Sequence, residues 1–160
     1  MKFILIVIAI FLDVLLNNVF NFGIYSLPYF YPMFTVATIS YLSNLYNNAN
    51  RKNYYVLVLI VSILYDSIII NNLLISITVF LSIAFINVKL KNNLSNNLIN
   101  NILRLVLSII CYDIIFYLLL VVVGYQNFDI NRLVYKITHS IIINVIYMSI
   151  MFLVLKEKKP

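Results

Sequence analysis

The chain has 160 residues and a formal charge of +6, yet only 10% of its residues are charged and 64% are hydrophobic, with a mean hydropathy of +1.02. A water-soluble domain keeps roughly a quarter of its residues charged, so this composition excludes one and leaves lipid as the main solvent. Five acids, one histidine and one cysteine are too few for the clustered ionisable groups of a water-filled catalytic site, and the lone Cys111 has neither a disulfide partner nor a metal-site spacing.

Long apolar runs predict six spans, at about 3–20, 25–46, 54–70, 73–88, 102–123 and 133–155, which makes 1–160 one all-α polytopic membrane domain. The first, Phe3 to Phe20, follows Lys2 in the manner of a secretory signal. Asp13 interrupts it and no small-x-small cleavage site follows, so it is expected to be retained. Gly23, Pro28 and Pro32 end the first span and open the second. Arg51 and Lys52 precede the third span, which is separated from the fourth only by Ile70, Asn71 and Asn72, as in a tight helical hairpin.

The segment 89–101 is the longest polar stretch, and Leu90, Leu94 and Leu98 recur there every four residues. As a helix it would put the three leucines on one face, lying on the membrane and open to a cytoplasmic partner. Otherwise the segment is the start of the fifth span. Asparagine abounds, and Ala is sparse, as an AT-rich genome dictates. The runs Asn17-Asn18, Asn47-Asn48, Asn92-Asn93 and Asn96-Asn97 are read as loop and interface filler.

With six spans, Lys2, Arg51, Lys52, Lys89, Lys91, Arg104, Lys156, Lys158 and Lys159 fall on one side and only Arg132 and Lys136 on the other. The positive-inside rule then places both termini in the cytoplasm. The net charge reflects this topology and attraction to anionic headgroups, with no basic domain to hold nucleic acid.

Ionisable groups at membrane depth cost at least about 2.5 kcal/mol each near the bilayer centre, so Asp13, Asp66, Asp113 and His139 each need a partner. All lie at the midplane or in the outer half, and each is expected to face the interior. A polar cluster is expected, in which His139, with Lys136 or Arg132 reaching in from the outer loop, satisfies the carboxylates. Asp113 needs a partner most. Catalysis would want a second acid or base one helical turn from it, where Ile109, Ile110, Phe116 and Tyr117 stand. Tyrosines such as Tyr25, Tyr29, Tyr46, Tyr54 and Tyr125 gather near span ends as interfacial anchors. Small residues for close helix contact are scattered, with Ser62, Ser76 and Thr78 the candidates.

Several features in order resemble the rod-shape-determining protein MreD family. They are the proline-led second span Pro32-Met33-Phe34, the basic turn Arg51-Lys52, and the third span ending in Ser62-Ile63-Leu64-Tyr65-Asp66. Further on come Asp113-Ile114-Ile115-Phe116 and Asn144 ahead of Phe152-Leu153-Val154-Leu155-Lys156. The resemblance covers essentially the whole chain. The family usually has glycines around the third-span acid and in the next turn, where this chain has Ser62, Asn71 and Asn72.

The resemblance implies a non-enzymatic subunit, without cofactor, of the bacterial cytoplasmic-membrane complex that directs lateral peptidoglycan synthesis. Its expected partners are MreC and, through it, the MreB filament and the RodA-type glycosyltransferase with its transpeptidase. It also implies a fold like the substrate-binding subunits of energy-coupling-factor transporters, with an outward cavity near Asp13, Asp66, Asp113, His139 and Asn144. The alternative function is such a vitamin-binding subunit. Short outer loops and a first helix with only Ala9 among bulky residues count against it.

Overall fold

The computed structural model describes residues 2–20, 31–46, 50–70 and 75–156, and every regular element among them is helical. The helices are α1 (Lys2–Phe20), α2 (Phe34–Leu42), α3 (Arg51–Tyr65), α4 (Ile75–Asn93), α5 (Leu98–Val123) and α6 (Ile130–Lys156). A 3-10 turn, Ser43–Leu45, prolongs α2, and a π turn, Asp66–Ile70, prolongs α3. Three helices, α4, α5 and α6, are long and apolar enough to cross a membrane. Gly23, Pro28, Asn47-Asn48, Asn71-Asn72, Lys158 and Lys159 lie outside the described residues.

The second span differs from expectation. Of its described part, Tyr31, Pro32 and Met33 are not helical, and the helix begins only at Phe34. Pro32 lacks a backbone donor and pushes the residue before it toward extended backbone, so a helix can start after it but not run through it. All nine residues of α2 are buried, and it touches α1, α4, α5 and α6. Thr35, Ala37, Thr38 and Ser40 keep this central helix thin enough for its neighbours to approach. The small-residue surface missing from the sequence reading is therefore α2 itself.

Ser40 links α2 to α4 and α5. Its hydroxyl donates to Ser108 Oγ at 2.9 Å, and Asn87 Nδ2 donates to Ser108 Oγ at 2.8 Å and Ser40 Oγ at 3.2 Å. Ser108 in turn donates to the Arg104 carbonyl, so both hydroxyls use their donor and accept as well. The outer surface is apolar: Ile4, Val7, Ile8 and Phe11 on α1, Val56, Leu59, Ile60 and Ile63 on α3, and Ile142, Ile146, Ile150 and Leu153 on α6 are exposed. Exposed apolar side chains in this number, together with three helices apolar enough to span, suit a membrane protein.

Of the two readings of 89–101, the single membrane-surface helix does not form, and the segment is the start of α5 only from Leu98 on. Leu90 ends in α4, Leu94 lies in the connecting turn, and Leu98 opens α5, each half-buried. The break is made by asparagines read earlier as filler: Asn97 Oδ1 caps α5 by accepting the Asn100 N–H at 2.8 Å, and Asn96 Oδ1 accepts from Asn101.

Helix α5 stops at Gly124, whose φ of 83° is left-handed. The Gly124 N–H bonds the Val121 carbonyl and the Tyr125 N–H the Leu120 carbonyl, a Schellman stop. A Cβ at Gly124 would meet nothing within 4 Å, so only backbone strain opposes a side chain. Gly124→Ala should therefore cost about 1 kcal/mol and Gly124→Asn less, measured as thermal unfolding in detergent.

Candidate functional site

Asp13, Asp66 and Asp113 are each held by the helix that follows their own. Asp13 on α1 is fully buried. Its Oδ1 accepts the Phe34 N–H at 2.7 Å and its Oδ2 the Thr35 N–H at 2.9 Å. These belong to the unpaired N–H groups at the start of α2, where the helix dipole also favours an anion. Asp66, at the end of α3, does the same for α4, its Oδ1 accepting the Ser76 N–H at 3.2 Å. Asp113 on α5 pairs with Lys136 on α6, Nζ to Oδ1 at 3.0 Å. The ammonium also sits among the rings of Phe116, Tyr112 and Tyr31, at 5.1, 5.7 and 5.9 Å from their centroids.

Asn144 completes the first of these junctions from α6. Its Oδ1 accepts the Met33 N–H at 2.8 Å, and its Nδ2 donates to the Tyr31 carbonyl at 3.0 Å and the Ser140 carbonyl at 2.6 Å. Asp13 and Asn144 thus satisfy three successive backbone donors, of Met33, Phe34 and Thr35, just after the proline that has none. Without them the unwound entry to α2 would leave polar backbone buried in an apolar interior.

A chain of aromatic rings links α3, α4 and α5 beside Asp66 and Asp113. Phe80 packs edge-on against Tyr65 at 5.1 Å and lies 5.8 Å from Tyr112, which stacks on Phe116 at 5.5 Å. These rings pack α3, α4 and α5 against one another.

His139 does not join them. It stacks on Tyr135 with ring centroids 3.8 Å apart, and its Nδ1 lies 2.8 Å from the Tyr135 carbonyl. The expected cluster is corrected accordingly: Lys136 is the cation paired with Asp113, and the histidine is bound to its own helix. A half-buried imidazole can satisfy itself one turn back, whereas Asp113 on a buried helix face has no local donor.

The opposite end of the bundle holds a network that the sequence reading missed. Arg104 is fully buried and its guanidinium donates to Asn44 Oδ1 and the Leu94 carbonyl. Asn44 bonds Asn101 at 2.6 Å. Lys2 donates to the Leu45 carbonyl at 3.2 Å and lies 3.7 Å over the Tyr46 ring, while Lys91 donates to the Tyr46 carbonyl. These cations close carbonyls where helical segments end, the complement of the acids at helix starts.

One sequence signal could have found the acid junctions as a set. Each acid ends a tetrad opened by isoleucine: Ile10-Phe11-Leu12-Asp13, Ile63-Leu64-Tyr65-Asp66 and Ile110-Cys111-Tyr112-Asp113. The molecule is thus three helical pairs, α1–α2, α3–α4 and α5–α6, each with an acid on its first helix answered by its second. Chemically, the arrangement fixes helix starts and neutralises one cation. Among the described residues no group of three or more His, Cys, Asp or Glu side chains is placed to hold a metal ion. No protein-family model, curated protein or solved structure matches the chain significantly.

Proposed function

We propose that the chain is a non-enzymatic subunit of the bacterial cell-elongation complex that binds MreC and helps position peptidoglycan synthesis. In this reading all six helices cross the cytoplasmic membrane, with both termini inside. The observation that carries it is a coincidence of positions. Asp66, Asp113 and Asn144, the polar residues that mark the resemblance to the MreD family, each tie one helix to another, as Asp13 does as well. Buried polar groups spent on interhelical ties suit a rigid scaffold, whose function is to present a fixed surface to a partner.

The vitamin-binding alternative is less well supported. Small-molecule sites usually offer about 300–1,000 Å³, whereas the cavity described between α5 and α6 has about 210 Å³.

Co-expression with an MreC partner and purification in mild detergent tests the proposal. The two chains should elute together, and an MreC that is never retained would overturn it. Reporter fusions should place the carboxyl terminus inside the cell.

A further inference from the structure

A cavity of about 210 Å³ lies between the last turns of α5, the connection that follows and the first turns of α6. Its polar wall is made of side chains that donate hydrogen bonds: Arg132, Lys136, Gln126 and the phenols of Tyr31 and Tyr117, with no carboxylate. Tyr117 is committed to the connection, donating to the Asn127 carbonyl at 3.2 Å and accepting the Asp129 N–H. Lys136 spends one of its three N–H donors on Asp113 and keeps two. The Arg132 guanidinium makes no ion pair among the described residues. Asp113 pairs with Lys136, and Asp129 Oδ1 accepts the Asn131 and Arg132 backbone N–H groups at 3.0 and 3.3 Å, so no described carboxylate occupies the Arg132 guanidinium itself.

A planar guanidinium fork and an ammonium facing one space match the oxygens of a phosphate group better than any neutral ligand. The volume suits a single headgroup, being below the range of drug-sized sites. The remaining wall, Phe116, Leu120 and Leu133, is apolar, which would let hydrocarbon lie beside the phosphate. We propose that this cavity is a phosphate-binding site, filled by the headgroup of an anionic lipid or by free phosphate. The assignment is independent of any MreC interaction.

The test uses the full chain in detergent, with phosphatidylglycerol, diacylglycerol and inorganic phosphate as probes and native mass spectrometry as readout. Arg132→Gln removes an exposed side chain, and Lys52→Gln removes an exposed charge on α3 as a control. Phosphatidylglycerol should be retained by the wild type and by Lys52→Gln, with affinity lost about tenfold in Arg132→Gln, the scale of a charge-assisted hydrogen bond. Displacement by inorganic phosphate would assign the site to the free ion, and retention despite phosphate would assign it to the lipid. Equal retention of diacylglycerol, equal binding by Arg132→Gln, or no binding of either phosphate probe would overturn the proposal.

Discussion

Replacing Lys136 with methionine should cost about 4 kcal/mol of stability, and adding Asp113→Asn to the same chain should return most of it. The Asp113 side chain is fully inaccessible while Lys136 keeps 26% of its surface exposed. Removing the lysine therefore strands a carboxylate on the buried face of α5. Methionine keeps an unbranched stem, so the loss reports the ammonium's contacts with Asp113 and with the Phe116 and Tyr112 rings rather than volume. In the double variant no charge is buried, and the penalty falls because the pair itself adds little beyond compensating its own desolvation. Thermal unfolding of the wild type, both single variants and the double variant in one detergent measures the coupling. A double variant as unstable as Lys136→Met alone would show that the ion pair is not what joins α5 to α6.

The second large effect is expected at Asp13. Asp13→Ala leaves the Phe34 and Thr35 N–H groups unpaired in an apolar interior, at about 1–3 kcal/mol each and more for a charged acceptor, so a loss of about 4 kcal/mol is expected. Asp13→Asn should fall between alanine and wild type. Its single carbonyl oxygen can serve one N–H, and its amide nitrogen then faces the other as a second donor. The damage should appear at the start of α2 rather than in α1, because the orphaned groups belong to α2. Hydrogen exchange at Phe34 and Thr35 should accelerate in Asp13→Ala while exchange in the middle of α1 stays slow. Acceleration confined to α1 would show that Asp13 serves only its own helix.

Much of the frame was legible in the residues. The runs that predicted spans at 3–20, 54–70, 102–123 and 133–155 correspond to α1, α3 with its π turn, α5 and α6, each displaced by a few residues. Hydropathy reports which side chains avoid water, and in lipid that is nearly the same as reporting a helix, since no other open structure satisfies its own backbone. The failures have the same origin. Tyr31, Pro32 and Met33 carry no charge and lie between apolar residues, so the second span was run straight through an unwound stretch that only Pro32 betrayed. Asn44, Asn87, Asn97 and Asn101 could not be distinguished from compositional excess until their partners were in place. Leu90, Leu94 and Leu98 kept a helical spacing across a connection that is not a helix, because a four-residue period carries no information about where Asn97 stops and restarts the chain.

What the amino-acid order fixed alone is the solvent, the helical class and the need of three buried acids for partners, all consequences of local hydrophobicity and of the cost of charge in hydrocarbon. The partners themselves were set only when the helices packed. Asp13 is answered by backbone groups more than twenty positions away and Asp113 by a lysine on the next helix. Hydrogen-bond donors become available to a buried carboxylate through their direction and distance in space, and nothing in the spacing of residues along a chain encodes either.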